Sequence, residues 1–184
     1  IEAGSFAIAS SITKGNVEIN NINPKDLAEF INILKLTGSK VEIFENSMNV
    51  SCSQRPKTFN VDTDPYPGFP TDLQAQYMAL MAIANGKTLI KETIFENRFM
   101  HVPELLRMGA KISVNHQEAE INGVKNLKGA KVMASDLRAS MCLILAALAA
   151  SGTSEIDGLN HLDRGYENLE DKLTNLGAII KRSK

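Results

Sequence analysis

The sequence predicts an α/β (α+β) fold built from three copies of one supersecondary unit, and three recurring features predict it. Glycine follows an apolar helical stretch at Gly15, Gly86 and Gly152, at intervals of roughly 70 residues. A second helix ends each time in a glycine step, at Leu36-Thr37-Gly38-Ser39, Arg107-Met108-Gly109-Ala110 and Asn175-Leu176-Gly177-Ala178. A left-handed C-terminal position there releases the chain from the helix. Strand runs follow at once, over Lys40 to Phe44, Lys111 to Asn115 and Ile179 to Lys181.

The first repeat, about 1–56, opens on its helix and closes on a β run from Met48 to Cys52. The second, about 57–129, adds a leading strand, Lys57 to Val61, and closes on Ala119 to Asn122. Between its leading strand and its helix lies Asp62-Thr63-Asp64-Pro65-Tyr66-Pro67-Gly68-Phe69-Pro70, where three prolines predict a stiff, extended connector. The helix then starts at Thr71-Asp72-Leu73-Gln74-Ala75-Gln76, with apolar positions at Leu73, Tyr77, Leu80 and Met81. The third repeat, about 130–184, leads with Lys131 to Ala134, continues into an apolar helix through Met141 to Ala150, and ends after one strand. The first repeat lacks a leading strand and the third lacks its closing one, which would leave strand edges unpaired. Residues 1–184 are therefore expected to form one domain, incomplete at both ends, of a longer polypeptide.

Composition supports a packed core and argues against several partners. Hydrophobic residues make up 43% and charged residues 22% of 184, enough for one sizeable α/β core. The net charge of -1, from 20 basic and 21 acidic side chains, gives no global attraction to nucleic acid or to an anionic membrane. Aromatics at 5% and the absence of tryptophan give little for base stacking. The run Met141 to Ala150 is about half of what a bilayer crossing needs, and no signal-peptide pattern opens the chain. Cys52 and Cys142 stand apart without metal-ligand spacing, which predicts reduced thiols in a cytoplasmic protein, Cys142 in the core. Neither a metal cluster nor a phosphate-binding glycine loop is evident.

Carboxylates recur near the starts of the apolar helices, at Asp72, at Asp136 in Ser135-Asp136-Leu137-Arg138, and roughly at Glu2. Each could simply cap its helix or oppose its dipole, and proton chemistry is the sharper alternative. Arginines recur too. Arg98 lies twelve residues beyond Gly86, Arg164 twelve beyond Gly152, and Arg138 two beyond Asp136. Three guanidinium forks near helix starts suit a small polyanion. The plainer alternative is surface pairing of Arg98 with Glu96 and of Arg164 with Asp163.

Four strings are more specific: Phe69-Pro70-Thr71-Asp72-Leu73-Gln74-Ala75-Gln76, Phe95-Glu96-Asn97-Arg98-Phe99-Met100-His101-Val102-Pro103-Glu104-Leu105, Ala134-Ser135-Asp136-Leu137-Arg138-Ala139-Ser140 and His161-Leu162-Asp163-Arg164-Gly165-Tyr166-Glu167. In this order they resemble the UDP-N-acetylglucosamine enolpyruvyl transferase family, over essentially the whole chain. The resemblance implies an inside-out α/β barrel domain of three βαβαββ repeats, one of two domains with the active site between them. It implies transfer of the enolpyruvyl group from phosphoenolpyruvate to the 3-hydroxyl of UDP-N-acetylglucosamine, with release of phosphate, as the first committed step of bacterial peptidoglycan synthesis. That step serves cell-wall biogenesis, cell shape and cell division. No cofactor is implied.

Carried over residue by residue, the resemblance makes Asp72 the contact to the sugar hydroxyl and the candidate general base, with Asp136 a second active-site acid. Burial on closure could raise the basicity of such a carboxylate. It assigns Arg98, Arg138 and Arg164 to the carboxylate and phosphate of phosphoenolpyruvate, and Ile94 and Phe95 to the flank of the nucleotide sugar. The family's loop proton donor and its lysine-asparagine pair belong to the other domain, so the chain alone is expected to be inactive. Neither Cys52 nor Cys142 lies in a string resembling that loop. His101 is expected to hold a helix start. Two alternatives stay open: a non-catalytic paralogue that keeps the anion site, and the related transferase acting on shikimate 3-phosphate.

Overall fold

The computed structural model describes residues 1–183; Lys184 lies outside the described residues. The first repeat runs α1 (Glu2–Thr13), β1 (Asn16–Asn20), a 3-10 turn (Pro24–Leu27), α2 (Ala28–Leu36), β2 (Lys40–Ile43) and β3 (Ser47–Ser51). The second runs β4 (Val61–Asp62), a 3-10 turn (Thr71–Leu73) leading into α3 (Gln74–Ala82), β5 (Lys87–Lys91), α4 (Val102–Arg107), β6 (Lys111–Asn115) and β7 (Glu118–Asn122). The remainder comprises β8 (Leu127–Lys128), β9 (Lys131–Met133), α5 (Leu137–Ala149), β10 (Ala150–Ser151), β11 (Glu155–Asp157), a 3-10 segment (Leu159–Arg164) and α6 (Leu169–Asn175).

Helices α1, α3 and α5 are apolar or small on almost every face, so they have no side to turn to water. All nine residues of α3 are buried, as are Gly4 to Ile12 of α1 and Ala139 to Ala146 of α5. The three pack on one another at the centre, and the strands form the wall around them. This is the inside-out arrangement. The wall strands alternate in burial as half-solvated strands should, β5 burying Thr88 and Ile90 and exposing Lys87, Leu89 and Lys91.

The first two repeats share one pairing scheme. In the first, β3 lies antiparallel between β1 and β2; in the second, β7 lies likewise between β5 and β6. Each core helix of the later repeats is the crossover of a parallel pair, β4 with β5 around α3 and β9 with β11 around α5. Equivalent helix ends therefore fall at equivalent places, which brings the starts of α3 and α5 together.

The three glycine steps are as expected. Gly38, Gly109 and Gly177 have φ of 99°, 87° and 96°, and a Cβ would meet nothing within 4 Å at any of them. The left-handed backbone, not lack of room, is what calls for glycine there. The bonds Ala110 N to Leu105 O (3.0 Å) and Gly109 N to Leu106 O (2.9 Å) close the end of α4.

Two expectations fail and a third is met only in part. Residues 179–181 form no strand. Their counterparts β2 and β6 are held by the strand that follows each of them, and no strand follows residues 179–181 among the described residues. The proline connector is not extended either: it doubles back, with Thr63 bridged to Phe69, Asp64 N bonded to Phe69 O (3.0 Å) and Gly68 N to Pro65 O (2.8 Å). Buried Phe69, edge-on to Tyr77 at 5.4 Å, pulls the loop closed onto the core. The leading strand of the second repeat is also shorter than expected, Lys57 making only an isolated bridge to Asn85.

Candidate active site

The starts of α3 and α5 carry the two carboxylates, and each uses its carboxylate differently. Asp136 is the N-cap of α5: its Oδ1 accepts from the backbone N–H of Arg138 (2.8 Å) and of Ala139 (3.1 Å), and its Oδ2 from the Ser135 hydroxyl (3.0 Å). Burial works against this carboxylate, but the Ala139 amide, the Ser135 hydroxyl and the Arg138 amide outweigh it and hold Asp136 below the usual range.

Asp72 caps nothing. It sits in the 3-10 turn before α3, and its Oδ1 accepts from Arg138 Nε at 2.8 Å and from Arg138 Nη2. The Asp72 side chain is half exposed, and its Oδ2 accepts no hydrogen bond among the described residues. One arginine thus joins the two helix starts: the backbone of Arg138 is held by Asp136 and its guanidinium holds Asp72.

Arg98 completes a cationic corner. It lies on the loop between β5 and α4, its guanidinium 4.0 Å above the centre of the Phe95 ring. Burial, then the charge of Arg138, lowers its basicity, against the pull of Asp72, Glu92 and Asp136. Arg98 and Arg138 face a cavity of about 170 Å³ together with Gln74, Asn97, His101 and Asp136. Gln74 Nε2 is buried there without a partner.

Arg164 does not line this cavity. It is exposed at the end of the 3-10 segment, which buried Leu162 and Tyr166 anchor to the core. The Tyr166 hydroxyl lies 2.7 Å from Ser5 Oγ and accepts from Gln76 Nε2 at 3.3 Å, tying this segment to α1 and α3. Of the three recurring arginines, Arg98 and Arg138 share the cavity and Arg164 does not. Neither surface pairing formed. Asp163 accepts from Arg182 at 2.8 and 2.9 Å instead of from Arg164, and Arg98 makes no ion pair with Glu96 among the described residues.

Ile94 is half-buried and Phe95 is 47% exposed beside this corner. Their backbone is fixed by a residue that sequence reasoning missed. Glu92, 1% exposed, accepts through Oε1 from the N–H of Ile94 (3.0 Å) and of Phe95 (3.2 Å) and from the Thr63 hydroxyl (2.9 Å). Through Oε2 it accepts from the Thr71 hydroxyl (2.8 Å). A signal existed: period-two alternation through Thr88 and Ile90 puts Glu92 on the inward register.

His101 is buried at the start of α4, with Nε2 3.2 Å from Met78 Sδ and its carbonyl accepting from Leu105 N. Burial pulls its pKa down to about 4, so it is neutral, in keeping with a structural part. Cys142 is buried and its thiol is pushed up by burial, and buried Cys52 donates to Gln54 O (3.2 Å). Among the described residues no group of three His, Cys, Asp or Glu side chains could hold a metal, and no helix is long and apolar enough to cross a membrane.

Comparison with known proteins gives the family and the fold. The EPSP synthase (3-phosphoshikimate 1-carboxyvinyltransferase) family matches residues 1–173. Over 182 residues the chain is 56% identical to the UDP-N-acetylglucosamine 1-carboxyvinyltransferase of Pelagibacter ubique (strain HTCC1062), covering 99% of this chain and 44% of that protein. With the protein of that name from Geobacter metallireducens it shares 53% over 186 residues, covering 100% and 44%. The chain thus spans less than half the length of these relatives. Among solved structures, the enolpyruvyl transferase NikO from Streptomyces tendae superimposes with a TM-score of 0.88 at 28% identity, over 98% of this chain and 43% of that one. An EPSP synthase from Acinetobacter baumannii shares the fold, with a TM-score of 0.78 at 19% identity, over 99% and 46%.

Proposed function

The chain belongs to the EPSP synthase (3-phosphoshikimate 1-carboxyvinyltransferase) family, and from that premise we propose that the protein carrying it transfers the enolpyruvyl group of phosphoenolpyruvate to the 3-hydroxyl of UDP-N-acetylglucosamine. The choice of acceptor is supported by relatives named for the nucleotide sugar, which are more than half identical. In this reading residues 1–184 are one of two domains, with repeats at about 1–56, 57–129 and 130–184, and the second domain supplies the loop proton donor. The protein works in the cytoplasm on peptidoglycan precursors, and so serves cell-wall biogenesis, cell shape and division.

The observation that carries the reading is the Arg138 guanidinium held between Asp72 and the cavity that Arg98 shares. As the sugar hydroxyl attacks the enol carbon, its proton leaves and the methylene carbon gains one, giving a phospho-ketal. That intermediate then loses a methyl proton and phosphate. Asp72 has an open oxygen, Oδ2, for the hydroxyl proton. Asp136, with both oxygens engaged, acts by orienting Arg138 rather than as a base. Arg98 and Arg138 stabilise the anion as its charge redistributes, and Arg164, outside this cavity, is assigned to the same anion. Ile94 and Phe95 wall the nucleotide sugar.

Phosphate release from phosphoenolpyruvate by the full-length protein tests this, with UDP-N-acetylglucosamine and shikimate 3-phosphate as alternative acceptors. Release that requires the nucleotide sugar is expected. Release only with shikimate 3-phosphate moves the assignment to the other transferase, and none with either leaves an anion-binding protein.

A further inference from the structure

Building on the transferase reading, we propose that Glu92 is a positioning residue that sets the spacing between the Asp72 carboxylate and the Phe95–Arg98 arm. Three segments converge on its carboxylate: the loop after β4 through Thr63, the turn before α3 through Thr71, and its own loop through the amides of Ile94 and Phe95. Thr63 is locked in turn, accepting from Thr93 N at 2.9 Å through its hydroxyl while its carbonyl accepts from the Thr93 hydroxyl.

A buried carboxylate without a cation is costly unless its lone pairs are filled, and here four donors fill them. Glu92 has no ion pair among the described residues, so its bonds serve geometry rather than charge neutralisation. What they join is specific. Thr71 immediately precedes Asp72, and Phe95 carries the ring beneath the Arg98 guanidinium. Glu92 therefore links the segment of the group that takes the hydroxyl proton to the segment of Arg98, a link separate from the direct bond between Arg138 and Asp72. Its two oxygens divide the work, Oε2 toward Asp72 and Oε1 toward Phe95.

That division makes the proposal separable from a general role in folding. In Thr71→Val the hydroxyl bonded to Oε2 is lost while the amides of Ile94 and Phe95 stay bonded to Oε1. Glu92→Ala cuts both links. Glu92→Gln can keep both, its amide oxygen taking the three donors of Oε1 and its NH2 donating to the Thr71 oxygen.

Steady-state kinetics of the full-length protein, with thermal melts as the folding control, decide it. Thr71→Val is expected to lower kcat about tenfold with the KM for phosphoenolpyruvate unchanged. Glu92→Ala is expected to lower kcat and also raise that KM about tenfold, and Glu92→Gln to restore both to within about threefold of wild type. Thr71→Val with wild-type kcat, or Glu92→Gln as impaired as Glu92→Ala, overturns the positioning role and leaves the transferase reading standing. A wild-type protein that releases no phosphate overturns that reading, and the positioning role with it. Because Glu92→Ala strikes four bonds and endangers folding, Thr71→Val carries the decision.

Discussion

The start of α3 and the start of α5 are the same place in two copies of one unit, yet their carboxylates are spent in opposite ways. Asp136 turns inward and binds the amides of its own helix; Asp72 turns outward and binds the side chain of Arg138, 66 positions away. The difference lies in the backbone just before each helix. Asp136 is extended, with φ -160° and ψ 178°, which lets its side chain fold back over the first turn. Asp72 is already inside a 3-10 turn, so its side chain points away from the α3 amides. Repeat symmetry places the acids together, and local backbone conformation decides which of them keeps an oxygen that accepts no hydrogen bond among the described residues.

The sharpest way to break this contrast is to neutralise each acid in the full-length protein. Asp72→Asn is expected to lower kcat by about 10²–10⁴-fold, the range for loss of a positioned base. Asp136→Asn keeps an acceptor for both amides and is expected to cost far less. Phosphate-release kinetics on the two variants would sink the division of labour if Asp136→Asn proved the more damaging.

A second test concerns the wall between the two starts. His101 is buried between Met78 of α3 and the α5 start, and burial lowers its pKa from 6.5 to about 4, Asp136 pulling weakly the other way. The unfolded chain therefore binds this proton at a higher pH than the folded one. Stability is fully present above pH 6.5 and is lost as pH falls toward 4, by about 3 kcal/mol in all. Urea unfolding at pH 7 and pH 4.5 should show that loss in the wild type and much less of it in His101→Leu. Equal slopes would mean that His101 already carries charge beside Asp136, and the contrast between the two acids would need redrawing.

The parts legible in the sequence were those that local chemistry dictates. Gly38, Gly109 and Gly177 announced their helix ends because a positive φ is a property of one residue. The all-apolar helices announced the core for the same kind of reason. Residues 179–181 misled because a strand needs a partner, and that partner is not a local property. The proline connector misled because Phe69 buries against Tyr77 and the loop closes back onto Thr63, a long-range contact that proline spacing does not announce. At the site, the resemblance marked Asp72, Arg98 and Arg138, but no spacing revealed that Arg138 would reach across to Asp72. Glu92 escaped because an acid on an inward strand register reads as an error until its four donors are seen.

The smallest expected effect bears on the contrast most directly, because it measures capping apart from catalysis. Asp136→Ala removes the acceptor for the amides of Arg138 and Ala139 and should lower stability by about 1 kcal/mol. Asp136→Asn should lower it by only a few tenths of that, since asparagine caps nearly as well. Asp72→Ala loses one half-exposed ion pair and should cost under about 0.5 kcal/mol. The acid limb adds a check with its own pH window. Because the folded-state pKa of Asp136 is depressed, its contribution is present above the unfolded value near 3.9 and disappears as pH falls through the folded one, below the His101 range. Urea midpoints for the three variants at pH 7 should therefore rank Asp136→Ala as the least stable, the reverse of the activity ranking. If Asp72→Ala proved the more destabilising, Asp72 would be a structural acid, and its ion pair with Arg138 a strut rather than the poised arrangement from which a proton is taken.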